Sequence, residues 1–196
     1  MTASSNGQIG ANLDNRGSST AQPVTLTGTN RFEDNGSDGL YIQSDGLITV
    51  NNINANINGA RGISLNNTSG ITTGVTLTGV NIFNENNGDG LYIRSNGLLT
   101  LANLTANDSV TGYGANLENS SAPAAGPANV TLIGTNVFNN NAQDGIFILT
   151  RGLITVSALT ANYNGGNGTN LANNVNSALI RGVIVNGINT FIGNGN

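Results

Sequence analysis

The sequence predicts an all-β chain wound as a solenoid, with three short strands in each coil. Three observations lead there. Its apolar residues are mostly Ile, Leu and Val and fall in short alternating runs, the pattern of half-buried strands. Asn–Gly, Asp–Gly and Gly–Gly pairs separate those runs and mark turns. The whole pattern also repeats. VTLTGTN from Val24 returns as VTLTGVN from Val75, VTLIGTN from Val130 and VIVNGIN from Val183, at offsets of 51, 55 and 53 residues. Long helices are disfavoured, because 37 Asn, 28 Gly and 21 Thr among 196 residues all weaken helix interiors.

A period of about 53 residues is too long for one coil and suits two. The first strand of a coil is the GANL, GLYI or GISL type. The second is the VTLT or LITV type. The third contains Phe32, Phe83, Phe138 or Phe191 in alternate coils, and Ile53/Ala55, Leu104/Ala106 or Leu159/Ala161 in the others. Coils then start at Gly10, Gly39, Gly62, Gly90, Gly114, Gly145 and Gly168, about seven in all, with successive lengths of 29, 23, 28, 24, 31 and 23 residues. Long and short coils alternate. The extra length always falls between strands one and two, at residues 16–23, 67–74, 119–129 and 173–182. Residues 120–128 (SSAPAAGPA) read as an excursion that tolerates shortening. The chain is a single domain, 1–196, divided into repeats 10–61, 62–113, 114–167 and a partial repeat 168–196.

Equivalent residues of successive coils stack about 4.8 Å apart in such a fold, so the sequence can be read as columns. Two inward columns of strand one are Ala11, Leu40, Ile63, Leu91, Ala115, Ile146, Thr169 and Leu13, Ile42, Leu65, Ile93, Leu117, Ile148, Leu171. Strand two adds pairs from Val24/Leu26 to Val183/Val185. Asn30, Asn81, Asn136 and Asn189 recur at one corner, and Asn35, Asn86, Asn141 and Asn194 at the next. Asn suits turns, and stacked amides bond along the axis.

The G-[IL]-x-[IL] strand, the [VI]-T-[LV] strand and the N-x-F-x-x-N-x-x-x-G turn resemble repeats of the right-handed parallel β-helix, the pectin-lyase-like superfold. More narrowly, the double-coil unit is similar to tandem β-strand repeats of very large bacterial surface proteins. The resemblance covers nearly the whole chain. It implies a right-handed coil and an extracellular or cell-surface location. It does not choose a function, because the superfold hosts lyases, hydrolases, adhesins and passive stalks.

Composition narrows the choice. Lys, Cys, His and Trp are absent, and 6 Arg face 10 acidic residues. The basic footprint of a nucleic-acid binder is missing. Without Cys or His there is no zinc site, no thiol nucleophile and no Ser-His-Asp triad. No run of 18 apolar residues exists to insert in a membrane, and no secretion signal is expected at Met1. Lyases of the superfold cluster Asp around calcium beside a basic residue. Its glycosidases set several Asp close together. Here Arg94, Arg151 and Arg181 fall near no acidic cluster, and Glu33, Asp34 and Glu85 recur with the repeat. The expectation is a non-enzymatic structural or adhesive solenoid with no catalytic residues, cofactor or metal.

Three outward columns are candidates for contact. Tyr41, Tyr92 and Phe147 form an exposed aromatic stripe about 9.6 Å apart, two strand separations, suited to lateral packing or to glycans. Asp38, Arg61 and Asp89 form a solvated charge ladder. Thr25, Thr49, Thr76, Thr100, Thr131 and Thr155 form a Thr column, beside a neighbouring column too irregular for ice binding. A final expectation is axial. MTASSNG at Met1 matches the coil tails LTANDS and LTANYNG, and INTFIGNGN stops where a new strand would start. Gly10, Leu13, Val24, Leu26 and Phe32 at one end, and Leu171, Val183, Val185 and Phe191 at the other, are the expected contacts of head-to-tail self-association into a filament.

Overall fold

The computed structural model describes residues 1–17, 19–69, 73–121, 128–173 and 181–195. It is a parallel β-solenoid of three sheets, each seven strands deep. The first sheet stacks Ala11–Asp14, Leu40–Gln43, Ile63–Asn66, Leu91–Arg94, Ala115–Glu118, Ile146–Leu149 and Thr169–Ala172. The second stacks Val24–Leu26, Ile48–Asn51, Val75–Thr78, Leu99–Ala102, Val130–Ile133, Ile154–Ser157 and Val183–Asn186. The third stacks Thr2–Ser4, Asn30–Glu33, Ile53–Asn54, Asn81–Ile82, Leu104–Thr105, Asn136–Val137 and Leu159–Thr160.

The predicted columns are the observed registers. Leu40 pairs with Ala11 and Ile63, Leu91 with Ile63 and Ala115, and Ile146 with Ala115 and Thr169. The second sheet keeps its Val/Leu pairs opposed from Val24–Ile48 to Ile154–Val183. Alternation then puts these residues on one side, and they close around a single aliphatic core that includes Phe32, Phe83 and Phe138. Phe in long coils alternates with Ala55, Ala106 and Ala161 in short ones, so each ring lies over a small residue. Residues 18, 70–72, 122–127 and 174–180 of the long-coil excursions lie outside the described residues, and with them most of segment 120–128. Its exit is anchored, because the Ala128 carbonyl accepts from Asn119 Nδ2 and Thr150 Oγ1, both at 2.9 Å.

The corner between strand three and the next strand one carries the polar counterpart of the core. Asn6, Asn35, Asn58, Asn86, Asn141, Asn164 and Asn194 occupy one position in successive coils, with Ser109 as the only other rung. Asn35 donates from both its backbone N–H and its Nδ2 to Asn58 Oδ1, at 3.2 and 3.0 Å. Asn58 does the same to Asn86 Oδ1, at 3.0 and 2.9 Å. The pattern resumes from Asn141 to Asn164 and from Asn164 to Asn194. Each Nδ2 after that of Asn6 also donates to a carbonyl in or just after strand three of the preceding coil, as Asn58 does to Phe32 at 3.0 Å. The sequence columns found the long-coil rungs. The structure adds Asn58 and Asn164 from the short coils and Asn6 from the first turn.

Each rung follows a residue in the left-handed region. Ser5, Asp34, Ile57, Glu85, Asp108, Asn140 and Tyr163 have φ between 55° and 60°, and Gly193 has 65°. That conformation aims the next amide inward. It is imposed even on β-branched Ile57, where it is intrinsically unfavourable. The rung then passes against the glycine that opens a coil. A Cβ on Gly39 would come 2.6 Å from the Gly62 carbonyl oxygen and 2.8 Å from Asn58 Nδ2. At Gly90 the three nearest atoms include no amide, because its rung is Ser109. Ser109 Oγ is buried without a partner.

Two substitutions test this architecture. Leu65→Asp buries an unpaired charge among aliphatic side chains and should destabilise the fold by at least several kcal/mol. An unchanged melting temperature would overturn the coil assignment. Ser109→Asn should fill the broken rung. Its Oδ1 would accept from Asn86 and its Nδ2 would reach Asn141 Oδ1 and the Phe83 carbonyl. A gain of about 1–2 kcal/mol in denaturant unfolding is expected. A loss would mean that the gap is not a vacancy of amide size.

Candidate functional site

The outward face of the first sheet is the part of the surface where aromatic and charged side chains meet. Period-2 alternation puts Asn12, Tyr41, Ser64, Tyr92, Asn116, Phe147 and Asn170 in one row, and the register confirms each neighbour. The aromatic stripe therefore exists. Its exposure differs from the sequence expectation: Tyr41, Tyr92 and Phe147 are half-buried. Arg61 lies over the Tyr92 ring, 4.1 Å from its centroid. Tyr113 packs on Phe147, with centroids 5.6 Å apart and planes tilted by 32°. Arg61 and Tyr113 precede the first glycine of their coils, and the corner turns both toward the row. The sequence placed Arg61 in the charge ladder instead, so it missed that the two residues cover part of the stripe.

The charge ladder also needs correction. Asp38, Asp89 and Asp144 are not solvated: they are 9%, 9% and 7% exposed. Each accepts a backbone N–H from the next coil, from Arg61 at 2.9 Å, Tyr113 at 2.9 Å and Asn167 at 2.6 Å. The physical reason is the Asp–Gly turn, which aims the carboxylate along the axis at the next turn's N–H. Arg61 then pairs by its side chain with Asp89 alone of the two, Nε to Oδ2 at 3.7 Å. Beside it, Arg94 Nε meets Glu118 at 3.4 Å. Burial pushes the Asp89 carboxyl above its ordinary range, against the opposing pull of the Tyr113 N–H and of Arg61. Burial also raises the Tyr92 phenol, helped by Glu118, and raises Tyr113.

The Thr column runs in register from Thr25 to Thr155 and ends at Ile184. Glu33 pairs with Arg31, and Asp14 with Arg16 at 2.7 Å. Among the described residues no three His, Cys, Asp or Glu converge as metal ligands.

The two ends differ from each other. On the far end Val183, Val185 and Phe191 are exposed, with Ile188 at 88% and Ile192 beside them. Leu171 is half-buried there. Among the described residues, strands Thr169–Ala172 and Val183–Asn186 each have a partner on one side only, as Ala11–Asp14 and Val24–Leu26 do at the near end. On the near end Gly10, Leu13, Val24 and Leu26 are half-buried, but Phe32 is fully buried. Strand Thr2–Ser4 covers it, with Ala3 opposite Phe32. Phe32 thus does not belong to the open surface. Comparison with known protein families, characterised proteins and solved structures returned no match.

The raised Asp89 carboxyl gives a pH test. A group whose pKa is higher folded than unfolded holds its proton more tightly in the fold. Its charged form therefore weakens the fold at neutral pH, and stability from this site rises as pH falls through the raised pKa toward the ordinary carboxylate range. Asp89→Asn keeps an acceptor for the Tyr113 N–H and removes that slope. Melting curves of the two proteins should converge as pH is lowered from about 7 to about 4. A variant curve that runs parallel to the original throughout would contradict the burial effect.

Proposed function

We propose that the chain is a non-enzymatic structural segment of an extracellular or cell-surface assembly: a solenoid rod that associates end to end with its own kind. The observation that carries this reading is how the repeat uses its polar side chains. Ladder amides, strand-three Asn residues and the three buried Asp residues bond to the neighbouring coil. Asn81, for example, accepts from Ile53 N–H at 3.3 Å and donates to the Ala102 carbonyl at 2.9 Å. Side chains engaged in this way hold coils together and are not free for chemistry on a substrate.

The direction of the ladder supports a head-to-tail contact. Donors point toward the C-terminal end. There Asn194 receives from Asn164 and offers its own N–H outward, while Asn6 at the other end offers Oδ1. A second copy could set Ala3 over Phe191 and continue the Phe/Ala alternation. The isolated bridge from Thr160 to Thr190 gives the third sheet one more layer than the others. Seated this way, the first two sheets meet with a gap one strand deep, so the contact is weaker than stacking within the chain. A head-to-tail contact does not close and propagates as a fibre.

Sedimentation over a concentration series, with electron microscopy, tests the reading. The 196-residue chain should lengthen into rods as concentration rises. A Val185→Asp, Phe191→Asp double variant should remain folded and monomeric, since both residues are exposed at that end. Monomeric rods of the unaltered chain at high concentration would defeat self-association.

A second reading is a glycan-binding surface, favoured by the three aromatic residues in one half-exposed row. A glycan array with the Tyr41/Tyr92/Phe147-to-Ala variant separates it, because only this reading expects carbohydrate binding that the variant loses. The face covered by Arg61 is unavailable to a sugar on Tyr92, which leaves this reading second.

A further inference from the structure

The chain holds nine Asn–Gly pairs. In an unstructured peptide such a pair is the most labile point of an Asn-containing chain, because glycine lets its backbone nitrogen reach the neighbouring amide carbon. The structure treats the nine very differently. Six of the glycine N–H groups are held by hydrogen bonds. Gly36 donates to Asn6 O and Gly59 to Asn35 O, both at 2.7 Å, and Gly165 donates to Asn141 O at 2.8 Å. Gly88 and Gly195 donate to carbonyls of the preceding turns, and Gly97 to Ser95 Oγ at 3.0 Å. In the ladder pairs the side-chain amide is fixed as well, so neither reacting group is free to move.

Three pairs lack the glycine hydrogen bond among the described residues: those at Asn6, Asn167 and Asn186. Two of them are still restrained through the side chain. Asn6 Nδ2 donates to Asn35 Oδ1 at 2.9 Å, and Asn167 Nδ2 to Asp144 Oδ1 at 3.0 Å. Asn186 has no side-chain hydrogen bond among the described residues. It is exposed at the end of strand Val183–Asn186, and Gly187 follows it with φ at 74°.

We propose that Asn186–Gly187 is the principal site of spontaneous deamidation in the folded chain, and that hydrogen bonds shield the other Asn–Gly pairs from the same reaction, through the amide ladder at Asn6, Asn35, Asn58, Asn164 and Asn194 and through separate bonds at Asn87, Asn96 and Asn167. The Gly187 amide nitrogen loses its proton to solvent base and attacks Asn186 Cγ. A new C–N bond forms, the Cγ–Nδ2 bond breaks and ammonia leaves, giving a succinimide. Water then opens the ring at either carbonyl, to aspartate or isoaspartate. Both products put a carboxylate beside Ser157. Isoaspartate also inserts a methylene into the backbone at the residue whose carbonyl accepts Ala158 N–H at 3.0 Å. The inference stands on hydrogen bonding and exposure, and does not depend on end-to-end association.

The full chain is incubated in mildly alkaline buffer, sampled over time, and analysed by peptide mass mapping with isoaspartate detection. Asn186 should convert first, on the order of 10-fold faster than Asn35, Asn58 or Asn164, which must await local opening. In denaturant the nine pairs should convert at comparable rates. Asn186→Ser, which copies the residue paired with it at Ser157, should remove the first product and leave the rest unchanged. The proposal is overturned if a ladder pair, Asn6 or Asn167 converts as fast as Asn186 in the folded chain. It is equally overturned if Asn186 leads by the same margin in denaturant, since local sequence would then set the rate.

Discussion

The fold depends on one constraint: a side-chain amide passes through the corner between strand three and the next strand one in every coil but the one that carries Ser109. Asn35, Asn58, Asn86, Asn141 and Asn164 lie at this corner with almost no exposure. A buried primary amide is costly unless its donors and acceptor are met. Stacking meets them, because each Oδ1 takes two donors from the previous rung, except that of Asn141, which takes only the Ser109 N–H. The requirement then spreads outward. It sets the left-handed residue before each rung, and it explains the glycine that opens each coil, where a Cβ would strike the rung or the next coil's backbone. It also fixes the axial repeat, since the ladder closes only at strand spacing.

The core and the ladder are complementary solutions to the same geometric problem. A single coil cannot bury its own apolar residues, and a single rung cannot satisfy its own amide. Both are completed by neighbours, so stability accumulates coil by coil. Charge is scarce, which suits a rod whose like residues stack repeatedly, since a column of one charge would repel itself. Where acidic residues do recur, at Asp38, Asp89 and Asp144, they fall two coils apart, and each takes a backbone N–H from the coil between or beyond.

The same logic shapes the surface. Side chains that look free in sequence are engaged by the adjacent coil. Arg61 covers Tyr92, Tyr113 leans on Phe147, and Arg94 meets Glu118. Exposed apolar side chains occur singly along the coils, as at Val80, Leu98 and Val110, and gather at the C-terminal end at Val183, Ile184, Val185, Ile188, Phe191 and Ile192.

Much of this was legible in the sequence. The offsets of the VTL segments fixed the double-coil period, and two-residue alternation fixed which residues of GLYI or LITV face inward. Because parallel strands in a solenoid stack like on like, periodicity alone gave the register, and the Ala11-to-Thr169 column reads off the text unchanged. The Tyr41, Tyr92 and Phe147 row followed in the same way. What the sequence could not supply was the course of the corners. Alternation predicts faces along a strand but says nothing about where a side chain goes after the chain turns. That is why Asp38 and Asp89 read as solvated and Phe32 as an end residue, and why Asn58 and Asn164 were not recognised as rungs. Only the tertiary structure decided that the corner carboxylates point along the axis, that Thr2–Ser4 closes over Phe32, and that the amides of long and short coils share one column. Each depends on a left-handed residue or a glycine redirecting the backbone, and on hydrogen bonds between residues more than twenty positions apart.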